Sequence, residues 1–323
     1  MQTHPKVLKQ QASQKLGRLT CRPRKLLLTY AAVSFGVSLL VALINLYMQN
    51  QMVQTVGLRG LEIQAIWQTA SSLLDLAIAF LSPLWSLGLI FVALRFAREE
   101  DAAPQDLLAG FSRPGRGICL QLLTALLYVF MAFIAVYIGA ILMVGMADMG
   151  HLSGILEPFA QAVEENPSLL EDPSFLAELP WQQLLPFLLV PLTVMCFFTI
   201  VLVWALGYFT RLAPYYLMDS QDTNPVLAII RSFATVAKHF GAFFRLDLSY
   251  WWYFLLMAII SLFPVAIQMP SLFGGTPIHN GLFILVQACS ALCACLLYFW
   301  KGAQVETTYA LAFEKWKRKP NKK

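Results

Sequence analysis

Charge is the scarce commodity in this chain. Only 13% of its 323 residues are Asp, Glu, Lys or Arg, while 58% are hydrophobic. A soluble domain carries about a quarter charged residues and about half apolar ones, so this composition excludes an ordinary water-soluble protein. Catalytic groupings are missing as well: there is no glycine-rich nucleotide loop, no HExxH and no GxSxG. His4, His151, His239 and His279 are scattered without metal-ligand spacing, so no catalytic set, cofactor or metal is expected. Of the six cysteines, Cys21 lies in a basic segment and Cys119, Cys196, Cys289, Cys293 and Cys295 lie in or beside apolar runs. None falls in the long acidic loop, which excludes a disulfide framework. Cys289 and Cys293 stand one helical turn apart without a His or carboxylate, and read as small packing residues. The net charge of +5 is not a nucleic-acid signature, because the basic residues cluster at the ends of apolar runs.

What the chain has in abundance is hydrophobic length. Six runs reach the ~20 residues a helix needs to cross a bilayer core: about 26–48, 76–96, 118–146, 184–210, 248–269 and 281–300. The first is too long for a signal-peptide core and lacks a clear small-residue cleavage site. The apolar stretch 63–96 exceeds one crossing. It divides into an outer amphipathic turn with Trp67 and Asp75, then a span kinked at Pro83. Asp75 is read as a boundary residue facing protein or water. Pro186 and Pro191 fall near the outer end of the fourth run, and Pro264 bends the fifth. The expected fold is all-α: a polytopic membrane bundle of six transmembrane helices, with amphipathic interfacial helices on the cytoplasmic side.

The connecting segments give the orientation. Residues 1–25 carry seven Lys and Arg and no acid, and include the amphipathic piece KVLKQQASQKLGR. Residues 97–117 hold PQDLLAGF, read as a short interfacial helix. The loop 147–184 holds seven acidic residues and no Lys or Arg; its spacing does not fit a calcium loop, and it reads as solvated. The loop PSLFGGTPIHN joins the last two runs, and the tail 301–323 is basic again. Every Lys and Arg of the 23 except Arg59 lies on the side of the two termini. That asymmetry places both termini in the cytoplasm and the acidic loop outside, in a plasma membrane. Trp251, Trp252 and Trp300 at the inner ends and Trp67 and Trp181 at the outer ends agree.

The stretch 207–253 holds the most information. Asn224 is an N-cap candidate and Pro225 suits the first helical position. From there a surface helix is expected over VLAIIRSFATVAKHFGAFFR. Val226, Ile229, Ile230, Phe233, Val236, Ala237, Phe240, Phe243 and Phe244 share one arc, and Arg231, Lys238 and Arg245 recur every seven residues opposite. Such a helix suits the headgroup layer of an anionic leaflet, making membrane lipids the expected partner. Packing on neighbouring spans is the alternative for the same face. Arg211, where the fourth run ends, and Asp247, where the fifth begins, are placed to pair at the membrane edge. The runs group into three hairpins of parallel orientation, unlike an inverted-repeat transporter. Ala32 with Gly36, and Ala291 with Cys295, are small-xxx-small pairs that permit close approach within the bundle or between copies.

RLAPYYLMD (211–219), Ser232 and FRLDLSYWW (244–252) together resemble the signature of a domain-of-unknown-function family of multi-pass membrane proteins from low-GC Gram-positive bacteria. LKQQASQKLG, SPLWSLGLIFVALRFAREE and the Tyr309, Ala312–Phe313–Glu314 group fit it too. The resemblance marks Arg211, Pro214, Tyr215, Asp219, Ser232, Asp247 and Ser249 as motif residues and implies no established activity. The expected function is a non-enzymatic integral membrane protein of the bacterial envelope, a scaffold or accessory protein. The alternative is a transporter or export permease for a small or lipid-like solute, suggested by Pro83, Pro186, Pro191 and Pro264. An intramembrane enzyme ranks last.

Overall fold

The computed structural model describes residues 4–54, 58–147, 181–220, 222–272 and 280–317, with isolated helical positions 154, 161 and 164. The acidic loop therefore lies almost wholly outside the described residues, as do most of PSLFGGTPIHN and the last six residues of the basic tail.

The described elements are all helical. They are α1 Pro5–Arg18, α2 Pro23–Gln54, α3 Leu58–Ala97, a 3₁₀ segment Pro104–Ser112, α4 Pro114–Ala147, α5 Trp181–Thr210 and α6 Ala213–Asp219. They continue as α7 Pro225–Lys238, α8 Phe240–Ser249, α9 Trp251–Leu272, α10 Asn280–Leu297, a π turn Tyr298–Gly302 and α11 Ala303–Lys317. Proline opens many of them: Pro5, Pro23, Pro104, Pro114 and Pro225 each stand first. There the missing N–H costs nothing and the fixed φ already suits the helix.

Five helical stretches are long and apolar enough to cross a membrane: Pro23–Ile44, Gln68–Ala97, Pro114–Leu142, Leu192–Asp219 and Ile284–Lys317. The bent pair α7–α8 passes the same test jointly, and α9 contributes the shorter apolar helix Trp251–Pro264. Large apolar side chains stand out along these helices, among them Phe133 at 68% exposed, Ile200 at 68% and Leu296 at 67%. Water penalises such rows by about 1.5–3 kcal/mol for each large side chain, and a bilayer removes the penalty. The chain is a multi-pass membrane protein.

Two compact units divide the chain, residues 1–121 with 211–323, and residues 122–210. In the second, Met195 packs where a Cβ on Gly139 would sit, and Tyr128 lies the same way beside Gly207. In the first, α2 packs on α3 and α10, α9 on α10, and the 3₁₀ segment along α3. Here Leu26, Leu27, Leu89, Val92, Phe96, Ala102, Leu107 and Ala303 form a buried cluster. Two glycines make the α3–3₁₀ approach possible. A Cβ on Gly88 would fall 1.7 Å from the Leu107 carbonyl oxygen, and one on Gly110 would fall 1.9 Å from that of Leu84.

Three expectations need correction. The stretch 63–96 is not an outer turn plus a span, because α3 is one helix running through Pro83. Asp75 sits 22 residues before its end, roughly 33 Å at 1.5 Å per residue, about the ~30 Å thickness of a bilayer core. The surface helix 226–245 is not continuous: α7 and α8 meet at 84° at His239. The chain turns there because Phe243 becomes fully buried against Tyr309 and Trp316, and the His239 ring stacks on Trp316 at 5.6 Å. Burying Phe243 outweighs the helix hydrogen bonds lost at the corner, each worth about 1 kcal/mol net. The fifth run opens at Trp251 rather than Leu248, after a second break in the helix at Tyr250. The two break residues, His239 and Tyr250, adopt nearly the same conformation, φ −116° with ψ 21° and φ −115° with ψ 13°. Within the basic tail, residues 303–317 are helical. They form α11, with Val305, Tyr309, Ala312 and Phe313 buried.

Candidate functional site

Every segment assigned from charge to the terminal side of the membrane converges in the first unit. The ends of α1, α3 and α11 meet α6, α7 and α8 in one polar layer, held mainly by side chains far apart in sequence.

Its centre is Asp247 on α8. One carboxylate oxygen accepts from the Arg211 guanidinium at 2.9 Å and from the Tyr309 hydroxyl. Arg211 lies over the rings of Tyr309, Phe254 and Phe243, at 4.2, 5.3 and 5.6 Å from their centroids. Desolvated cation–ring contacts of this kind are worth up to about 2 kcal/mol. A second knot surrounds Asp219, at the end of α6. Its carboxylate, only 5% exposed, accepts from Arg98 and from Lys317. Arg98 also donates to Glu314 through Nε at 2.8 Å. Burial works against the Arg98 charge, but its bonds to Glu314 and Asp219 outweigh that and raise its pKa.

Neutral contacts complete the layer. The Leu212 N–H donates to the Ser232 hydroxyl at 3.1 Å, and Tyr216 and Thr235 share a hydrogen bond of 2.7 Å. These ties seat α7 on α6, with Ala228, Ile229, Ser232 and Val236 buried between them. Tyr215 is 5% exposed, and its ring lies 5.5 Å from Phe313. Pro214 lines a neighbouring cleft with Ser82, Pro83 and Ser86. The Ser249 carbonyl accepts from Lys9 at 2.5 Å, while its hydroxyl donates to the Leu246 carbonyl. Lys9 also lies 3.7 Å from the Tyr250 ring centroid. Its pKa is lowered, first by burial and then by the charge of Lys301.

The edge is tied in the same way. Lys15 and Arg18 of α1 pair with Glu99 at 3.3 and 3.6 Å. Glu99 ends α3 at φ +64°, the left-handed position that closes a helix. Asp101 accepts from the Thr20 hydroxyl and from the N–H groups of Thr20 and Cys21, both at 3.0 Å. The Thr20 hydroxyl, then the Cys21 N–H, hold the Asp101 carboxyl below its usual range.

The structure thus brings together six of the seven motif residues, Arg211, Tyr215, Asp219, Ser232, Asp247 and Ser249, with Pro214 beside them. It does not assemble the expected basic stripe. Arg231 and Lys238 stand exposed on α7, while Arg245 stands exposed on α8 beyond the corner. Sequence reasoning missed Lys9, Arg98, Lys317 and Glu306. The apolar spacing Val305, Tyr309, Ala312, Phe313, Trp316 was the signal for α11 and, through it, for Lys317 and Glu306. Glu306 is half-buried and within electrostatic reach of Arg211, Tyr215, Tyr253 and Tyr298. The hydroxyls of Tyr253 and Thr307 are buried without a hydrogen-bond partner among the described residues.

Chemically, the layer is a lock. The carboxylates of Glu99, Asp219, Asp247 and Glu314 are engaged by guanidinium, ammonium and hydroxyl groups of other elements, and aromatic rings pack around them. No family model, curated protein or solved structure matches the chain.

Proposed function

We propose that this is a six-span plasma-membrane protein of the bacterial envelope, with both termini cytoplasmic and a non-enzymatic scaffold or accessory role. In this reading α9 completes the spans, and the polar layer lies along the inner leaflet. The single observation behind the role is the engagement of Arg98, Arg211, Asp219 and Asp247 with one another's elements. Groups spent on structure in this way make a rigid platform. The resemblance of RLAPYYLMD and FRLDLSYWW to a family of bacterial multi-pass membrane proteins supports the same setting.

The second reading is a transporter for a small or lipid-like solute. It draws on Glu306 beside the unpartnered Tyr253 and Thr307 hydroxyls, just past the π turn Tyr298–Gly302. π turns inside helices often mark functional positions. One experiment separates the two. Thr307, which is 0% exposed, is replaced by Cys in a cysteine-free protein and challenged with a permeant maleimide in energised and de-energised cells. A scaffold leaves Thr307→Cys unlabelled in both; labelling that follows the membrane gradient favours transport.

A further inference from the structure

The first unit carries a cleft of about 740 Å³ between the end of α1, the first turn of α2 and the π turn. Arg22, Arg24, Lys25 and Lys301 line it, with Phe299 and Trp300, and no acidic side chain among the described residues does. Six cations elsewhere in the layer, Lys15, Arg18, Arg95, Arg98, Arg211 and Lys317, do face a carboxylate. Those of the cleft form no ion pair with a described residue. Lys301 reaches only the Gln304 amide oxygen, at 3.2 Å. The nearby Asp101 carboxylate is occupied by Thr20 and Cys21. Burial first, and then the charge of Lys301, lower the pKa of Lys9. The N-terminus of α2, a 32-residue helix, adds its own partial positive charge at Pro23 and Arg24.

The apolar half of the cleft is equally specific. Trp300 is 60% exposed and Phe299 39% exposed, at the place where the apolar run ends. Aromatic rings at that depth flank lipid headgroups, and basic pockets between membrane helices hold anionic ones. The volume suits a phosphodiester with its glycerol, within the 300–1,000 Å³ usual for ligand sites.

We propose that this cleft binds the headgroup of an anionic phospholipid, its phosphodiester meeting Arg24, Lys25 and Lys301 and its acyl chains running past Phe299 and Trp300. The choice of the inner leaflet as its source rests on the orientation proposed above; binding itself does not. The shared chemistry is a phosphate anion, so the test must separate a lipid from free phosphate.

The full chain in neutral maltoside detergent is titrated with dioctanoyl phosphatidylglycerol, dioctanoyl phosphatidylcholine and inorganic phosphate, with thermal stability as the readout. Saturable stabilisation by phosphatidylglycerol is expected, with at least tenfold weaker responses to the other two. The triple variant Arg24→Gln/Lys25→Gln/Lys301→Gln should lose at least tenfold in apparent affinity. The variant Arg231→Gln/Lys238→Gln/Arg245→Gln removes as much charge elsewhere and should stay within twofold of the parent. Should the cleft triple fail to fold, Lys301→Gln alone should cost about threefold. Equal responses to the two lipids, equal losses in both triples, or no stabilisation would each overturn the proposal. Inorganic phosphate matching phosphatidylglycerol would make this a free-phosphate site and overturn the lipid assignment. Because detergent removes the question of sidedness, failure here leaves the proposed orientation untouched.

Discussion

Asp247 accepts from a cation and from a phenol, and the two arms differ in consequence. Removing one partner of a buried ion pair costs about 3–5 kcal/mol, and the one-third exposure of Arg211 moderates that. Asp247→Asn should therefore destabilise the detergent-solubilised protein by about 2–3 kcal/mol, read as lower monodisperse yield after heating. The exchange of both residues, Arg211→Asp with Asp247→Arg, should express better than either reversal alone. It should still fall short of the parent, because a carboxylate then faces the rings that now face a cation. Asp101 carries a pH prediction. Its pKa is lowered by folding, so its contribution is complete above the ordinary carboxylate value of about 4 and is lost as pH falls through the lowered one. Amide exchange at Thr20 and Cys21, corrected for intrinsic rate, should rise only below that range. In Asp101→Asn it should already be raised at neutral pH and should not change on acidification.

Among the elements, α8 shows how packing outranks periodicity. The residues 226–245 carry a clean helical stripe, yet a straight helix would leave Phe243 outside. The 84° turn at His239 sets it against Tyr309 and Trp316, on the helix whose Asp247 meets Arg211. Phe243→Ala should cost about 3–5 kcal/mol and weaken the Arg211–Asp247 contact with it. A double-mutant cycle between Phe243 and Asp247 should show coupling. Gly88→Ala should be more damaging than its size suggests, since the added methyl meets the Leu107 backbone itself. Loss of the folded monomer peak is the expected readout, with Gly36→Ala, which meets open space, as the neutral comparison. The sequence made the helices legible because apolar length and proline starts are local signals. It made the Arg211–Asp247 pairing legible because both charges sit at run ends. The Asp219 knot was illegible, because Arg98 and Lys317 reach it from 121 and 98 residues away. The turn at His239 was illegible because nothing within 226–245 records the Trp316 ring that stacks on it.

For the molecule as a whole, one physical fact governs the rest. Its helices display apolar rows of the kind a bilayer covers, and the ion pairs of Arg98, Arg211 and Lys317 gather in one layer of the first unit. The proposed orientation puts that layer, with the phospholipid cleft on its border, in the cytoplasm. The most direct test uses two single-cysteine proteins in a cysteine-free background, Lys238→Cys in the layer and Glu165→Cys in the acidic loop. An impermeant maleimide is added to intact cells. Labelling of Glu165→Cys alone, with Lys238→Cys reacting only after lysis, is the predicted result. Labelling of Lys238→Cys on intact cells would contradict the account.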